Sequence, residues 1–97
     1  MNNQLNLSKF KFDIKDNIVI VSSVSGIKSL EIVKELKELF ENTYSKTYNY
    51  WIYADPLGYY HGYDFSNNCS VYCTSLSKPT AIKWFKEELL THKHNET

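Results

Sequence analysis

The sequence predicts an α+β fold of two layers: an antiparallel sheet of about five strands, in the order ββαβββα, with two helices packed on one face. Three observations carry this. Lys9 to Lys15 alternates strictly between apolar and charged residues. Two segments, Leu30–Tyr44 and Ser77–Leu90, repeat apolar residues at helical spacing. Between them, three β-branched and aromatic segments are divided by clusters of turn residues.

Taken in order, Phe10, Phe12 and Ile14 form one side of the first strand, and Lys9, Lys11, Asp13 and Lys15 the other. Asp16-Asn17 is a two-residue turn, because both residues tolerate positive φ. Ile18 to Val24 returns as the second strand, with Val19 and Val21 on the Phe10 side. Ile18 and Ile20 then fall on the lysine side, which is therefore partly covered as well. Ser25-Gly26 ends the strand, and Ser29 is the N-cap of a helix running to about Tyr44. Its inner stripe is Leu30, Val33, Leu36 and Phe40; Glu31, Lys34, Glu35, Lys37, Glu38 and Glu41 make a solvated face.

Tyr48–Ala54 is a strand, Asp55-Pro56-Leu57-Gly58 a turn, Tyr59–Phe65 the return, and Cys69–Thr74 the last strand after Ser66-Asn67-Asn68. In the turn, Asp55 accepts backbone hydrogen bonds, Pro56 presets φ and Gly58 closes the fourth position. Ser77 caps the second helix, with Pro79 in its first turn and Ala81, Ile82, Phe85 and Leu89 inward. The 97 residues are read as one domain, 1–97, with 1–8 and 92–97 as frayed tails.

Composition removes several kinds of function. Eleven basic residues balance eleven acidic ones, and every basic residue is lysine. Without arginine there is no planar fork for guanine edges or phosphates, and no net basic footprint marks a nucleic-acid binder. The longest purely aliphatic run is Ile18–Val21, too short to cross a bilayer, and the polar N-terminus has no signal-peptide stretch. A cytoplasmic location follows, in the cell of origin or in a host. Cys69 and Cys73 lie about 13 Å apart on an extended strand, beyond disulfide reach.

From Ser29 to His92 the helix–three strands–helix order resembles the layout of a double-stranded-RNA-binding domain. The helix start Ser77-Lys78-Pro79-Thr80-Ala81 is similar to that family's lysine-rich one, although Pro79 and Thr80 stand where a second lysine belongs. Tyr48 to Leu90 also resembles the arm-type DNA-binding domain of phage integrases. Both likenesses imply a nucleic-acid site on the last helix, at Lys78, Lys83 and Lys86.

Pairing Ala54 with Tyr59 and Phe65 with Cys69 sets His61 opposite Cys73, a possible nucleophile and base. No acidic residue is placed by the sequence to orient His61, and an apolar setting makes the thiol inert. No four ligands converge for zinc, His92 and His94 are poorly spaced, and no glycine-rich phosphate loop exists. The expectation is no enzyme, no cofactor and no metal.

Aromatic residues are the anomaly: eight Tyr and two Trp, most of them between Tyr48 and Tyr72. In this register Tyr50, Ile52, His61, Tyr63, Phe65, Cys69, Val71 and Cys73 face the helices. Trp51, Tyr53, Tyr60 and Tyr72 share the other face with Asn49, Gly62, Asp64, Ser70 and Thr74. Cross-strand pairing that shields Gly62 is one account of them. The other is a protein-binding surface, on which losing Trp51 or Tyr60 costs affinity rather than stability. The expected function is a non-enzymatic adaptor or inhibitor, such as a phage or other mobile-element protein acting on a host system. A nucleic-acid binder is the alternative. Thr47 to Ser77 contains two aspartates and no lysine, which disfavours phosphate on the aromatic face.

Overall fold

The computed structural model describes residues 5–95. A single 3-10 turn, Leu7–Lys9, precedes β1 (Lys11–Lys15), β2 (Ile18–Ser22), α1 (Leu30–Tyr44), β3 (Tyr50–Ala54), β4 (Tyr60–Asp64), β5 (Cys69–Ser75) and α2 (Lys78–Asn95). The fold is α+β in the order ββαβββα, with a five-stranded sheet in sequence order. All neighbouring strands are antiparallel except β2 and β3, which run parallel. α1 is the crossover between that parallel pair. No helix among the described residues is long and apolar enough to cross a membrane.

Local chemistry sets the element ends. Asp16 and Asn17 both take positive φ, and Lys15 pairs with Ile18 across them. α1 begins after Ser29 in extended conformation, without the expected side-chain cap hydrogen bond. It ends on Ser45 in left-handed conformation, whose N–H donates to Glu41 at 2.8 Å. α2 continues to Asn95, past the Leu90 end read from periodicity. Leu5 and Leu7 pack on the core, so order begins ahead of the first strand.

The two helices lie on opposite faces, which corrects the two-layer arrangement with both on one face. α1 places Val33, Leu36 and Phe40 against Val19, Val21 and Trp51. α2 places Ala81 and Phe85 against Ile18, Ile20, Ile52, Val71 and Cys73 on the other side. The cause is in β2: its four aliphatic residues alternate between the two clusters, and each face needs its own cover. The partial cover expected over the lysine side of β1 is α2 itself.

The register of β4 is the second correction. Gly58 N–H donates to the Asp55 carbonyl at 2.9 Å, and Gly58 takes φ of 94°. That positive φ adds a residue to the turn as a bulge, so Asp55 bonds Tyr59 and Ala54 pairs with Tyr60, not Tyr59. All of β4 is thereby inverted. Beyond the next turn, Asp64 pairs with Cys69 in place of Phe65. The two one-residue shifts add to a slip of two, which sets Val71 rather than Cys73 in line with Ile52 and restores the faces, so Val71 and Cys73 point inward as the sequence predicts.

Inversion of β4 puts Gly62, not His61, under α2. A Cβ on Gly62 would lie 2.5 Å from Phe85 Cδ2 and 2.9 Å from the Val71 carbonyl oxygen. The phenylalanine ring occupies the space that a side chain would need. On the opposite face Trp51 is 0% exposed, edge-on to Phe12, Phe40 and Phe65, and its indole N–H donates to the Tyr48 carbonyl at 2.7 Å. Trp51 and the phenylalanines around it thus belong to the α1-side core instead of an open surface.

Two predictions follow from this packing. Trp51→Ala should destabilise by about 3–5 kcal/mol and Tyr72→Ala by under about 1 kcal/mol in urea unfolding. Gly62→Ala should cost roughly 1–3 kcal/mol by overpacking against Phe85; a neutral result would show that the ring can move aside.

Candidate functional site

The four aromatics expected on one exposed face are not together. Trp51 is buried under α1, Tyr53 is half-buried on that same side, and Tyr60 packs in the α2-side core. Only Tyr72 is substantially open, at 63% exposure. The shared surface is corrected on two grounds: the inversion of β4 removes Tyr60 from it, and α1 covers Trp51.

Tyr72 sits in an irregular part of the edge strand β5. Gly62 pairs with Val71 and Tyr60 with Ser75, so residues 72–74 bulge opposite His61. There Tyr72 lies parallel to Trp84 of α2, with ring centroids 6.0 Å apart and planes 14° from parallel. Four residues further on, Leu76 is also 63% exposed. It contacts the β3–β4 turn: its Cδ2 lies 3.7 Å from where a Gly58 side chain would begin. The turn adds Leu57, 79% exposed, and Tyr59, 39% exposed. These apolar groups lie at two places along the β5 edge, Tyr72 on Trp84 and Leu76 on the turn, beside a strand with no charged residue from Cys69 to Ser75.

Asp55 holds the turn in shape. Its Oδ1 accepts hydrogen bonds from the Leu57 and Tyr59 amides, both at 2.9 Å. Its Oδ2 lies 2.7 Å from His61 Nε2, so an acidic partner for His61 does exist. Sequence reasoning missed it because the bulged turn brings Asp55 back over β4. The hydrogen bond with His61, followed by those of the Tyr59 and Leu57 amides, holds the Asp55 carboxyl below its ordinary value. The His61 ring also packs on Tyr53, at 5.4 Å between centroids. Burial, and then the Asp55 charge, raise the Tyr53 phenol. On the flank, Gly26 abuts Pro56 backbone to backbone, which sets the exposed Val24 loop beside the turn.

The expected His61–Cys73 pairing does not form. His61 lies with Tyr53 on the α1 side, whereas Cys73 is buried among α2-side residues. Desolvation pushes the Cys73 thiol up to about 12, leaving no thiolate nucleophile at neutral pH. Among the described residues no cluster of three His, Cys, Asp or Glu is placed to hold a metal. The metal-ligand question for His92 and His94 concerns side chains outside those described.

Two of the three candidate lysines on α2 are tied to carboxylates of the first hairpin. Lys78 donates to Asp13 at 2.7 Å, and Lys86 pairs with Asp16; Lys83 is exposed. Both aspartates are held below their ordinary values, first by these lysine hydrogen bonds. A phosphate contact at Lys78 or Lys86 would therefore have to compete with these exposed pairs.

No family model matches the chain, and no curated protein or solved structure matches it. The likenesses to RNA-binding and integrase domains remain ones of element order.

The thiols supply a chemical check. At pH 8, iodoacetamide should modify Cys69, half-buried at the start of β5, well before Cys73, and the untreated chain should carry both thiols reduced. Peptide mapping of the alkylated protein reads the order. Faster labelling of Cys73 would mean that the α2-side core opens readily.

Proposed function

We propose that the chain is a non-enzymatic protein-binding module, an adaptor or inhibitor, whose contact surface is formed by Tyr72, Trp84, Leu76, Leu57 and Tyr59. The observation that carries this reading is the set of exposed apolar side chains on and after β5 and in the β3–β4 turn, with half-buried Trp84 of α2 stacked on Tyr72, beside an uncharged strand. Exposed aromatic and aliphatic side chains held by a rigid scaffold are what protein interfaces use as anchors. The turn is rigid because Asp55 satisfies two of its amides. The bulge at residues 72–74 turns the middle of the edge away from regular pairing. This surface therefore offers side chains to a partner, not a backbone ladder. Two free thiols agree with a reducing compartment.

The test uses the full chain with the double change Leu57→Asp and Leu76→Asp. Both side chains are wet, so melting should shift by no more than a few degrees. Affinity for a protein captured from the source cell should fall by about 2 kcal/mol or more, roughly thirtyfold, by calorimetry. Unchanged affinity overturns the assignment. A captured partner that is lost on nuclease treatment, with a log–log salt slope near −5, would move the site to the lysines of α2.

A further inference from the structure

We propose that Asp55 and His61 form a pH-responsive latch on the β3–β4 turn: protonation of His61 tightens the hold of Asp55 on the Leu57 and Tyr59 amides. The two side chains that the turn presents are thereby fixed. The argument is geometric. One carboxylate does two jobs, with Oδ1 accepting from both turn amides and Oδ2 facing His61 Nε2 at 2.7 Å. The turn's own backbone closes on the same residue, through Gly58 N–H to the Asp55 carbonyl and Asp55 N–H to the Tyr59 carbonyl. Whatever localises Asp55 therefore localises the whole turn. A neutral imidazole can donate one hydrogen bond from Nε2; an imidazolium donates the same bond with a full charge behind it, which is roughly twice as strong.

Histidine is the side chain that ordinarily changes charge between pH 5 and 8. The groups that bear on it here are the Asp55 carboxylate from the turn and the Tyr53 phenol from β3. The Cys73 thiol of β5 is neutral across this range, as is the phenol. No lysine or glutamate of either helix pairs with His61 among the described residues. The latch thus closes when the His61 ring takes up a proton. It reopens only in stronger acid: Asp55 is held below its ordinary carboxylate value, so its contribution is present above that value and lost as pH drops through the lowered one.

The experiment follows backbone amides of the isotope-labelled full chain from pH 8 to pH 5 by NMR. Leu57 and Tyr59 amide shifts should move with the midpoint of the His61 ring protons, and their exchange protection should rise roughly fivefold. His61→Gln can still donate to Asp55 but cannot ionise, so its turn amides should stay flat over this range. Asp55→Asn keeps an acceptor for the turn amides but has no charge to attract His61, and should also uncouple the turn from the ring. Turn amides that ignore His61 titration in the natural chain overturn the latch, as does a titration that survives His61→Gln. Should His61→Gln not fold, Asp55→Asn decides in the same way. The latch rests on the protein-binding reading only for what it gates. A flat titration sinks the latch and leaves binding standing, while unchanged affinity of the Leu57/Leu76 variant sinks the reading and leaves the latch standing.

Discussion

Burial of β2 on both sides is the constraint from which the architecture follows. Ile18, Val19, Ile20 and Val21 are all buried, and they alternate between two cores that do not share a face. A strand of this kind is stable only when something apolar covers each side of the sheet. The chain has two helices, so each takes one face. α1, lying between the parallel strands β2 and β3, covers one; α2, leaving the far edge at β5, crosses the other. The ion pairs of Lys78 with Asp13 and Lys86 with Asp16 then secure α2 to the hairpin that carries β2. These exposed pairs add alignment more than stability.

The elements themselves were legible in the sequence. Alternation, capping residues and turn chemistry located all five strands, both helices and the Asp16-Asn17 turn close to where they lie. Two features escaped for separate physical reasons. The faces of β4 depend on whether Gly58 closes the turn tightly or bulges it, a difference of one residue that composition does not encode. The helix placement was encoded in the unbroken Ile18–Val21 run: its two-sidedness implies cover on the lysine side as well, but nothing in the run says that a whole helix supplies that cover. The candidate site failed in consequence. With β4 inverted and α1 over the aromatic face, Trp51 became core and the open apolar groups became Leu57, Tyr59 and Leu76, which sit in turns where no periodicity marks them.

The two edges of the sheet are managed in different ways, and the difference locates the surface. β1 carries Lys11 and Lys15, flanked by Lys9, so another strand cannot approach it without meeting positive charge. β5 has no charge and relies on its bulge and on the Tyr72–Trp84 contact to break the regular ladder. An edge protected by shape rather than charge leaves apolar side chains accessible. Asp55, at the end of that edge, links the shape of the turn to a single ionisable neighbour.

The parallel β2–β3 pair also orders the assembly of the chain in time. The hairpins β1–β2 and β3–β4–β5 join strands that are near in sequence and close small loops. Ile18 and Tyr50, by contrast, meet across about thirty intervening residues, and that closure costs entropy before any contact offsets it. Two local sheets therefore have to be spliced along their facing strands, with α1 as the folded connector that shortens the gap between them. Trp51, buried at this seam with its indole tied to Tyr48, reports the splice directly, and its fluorescence is a clock for the slowest topological step.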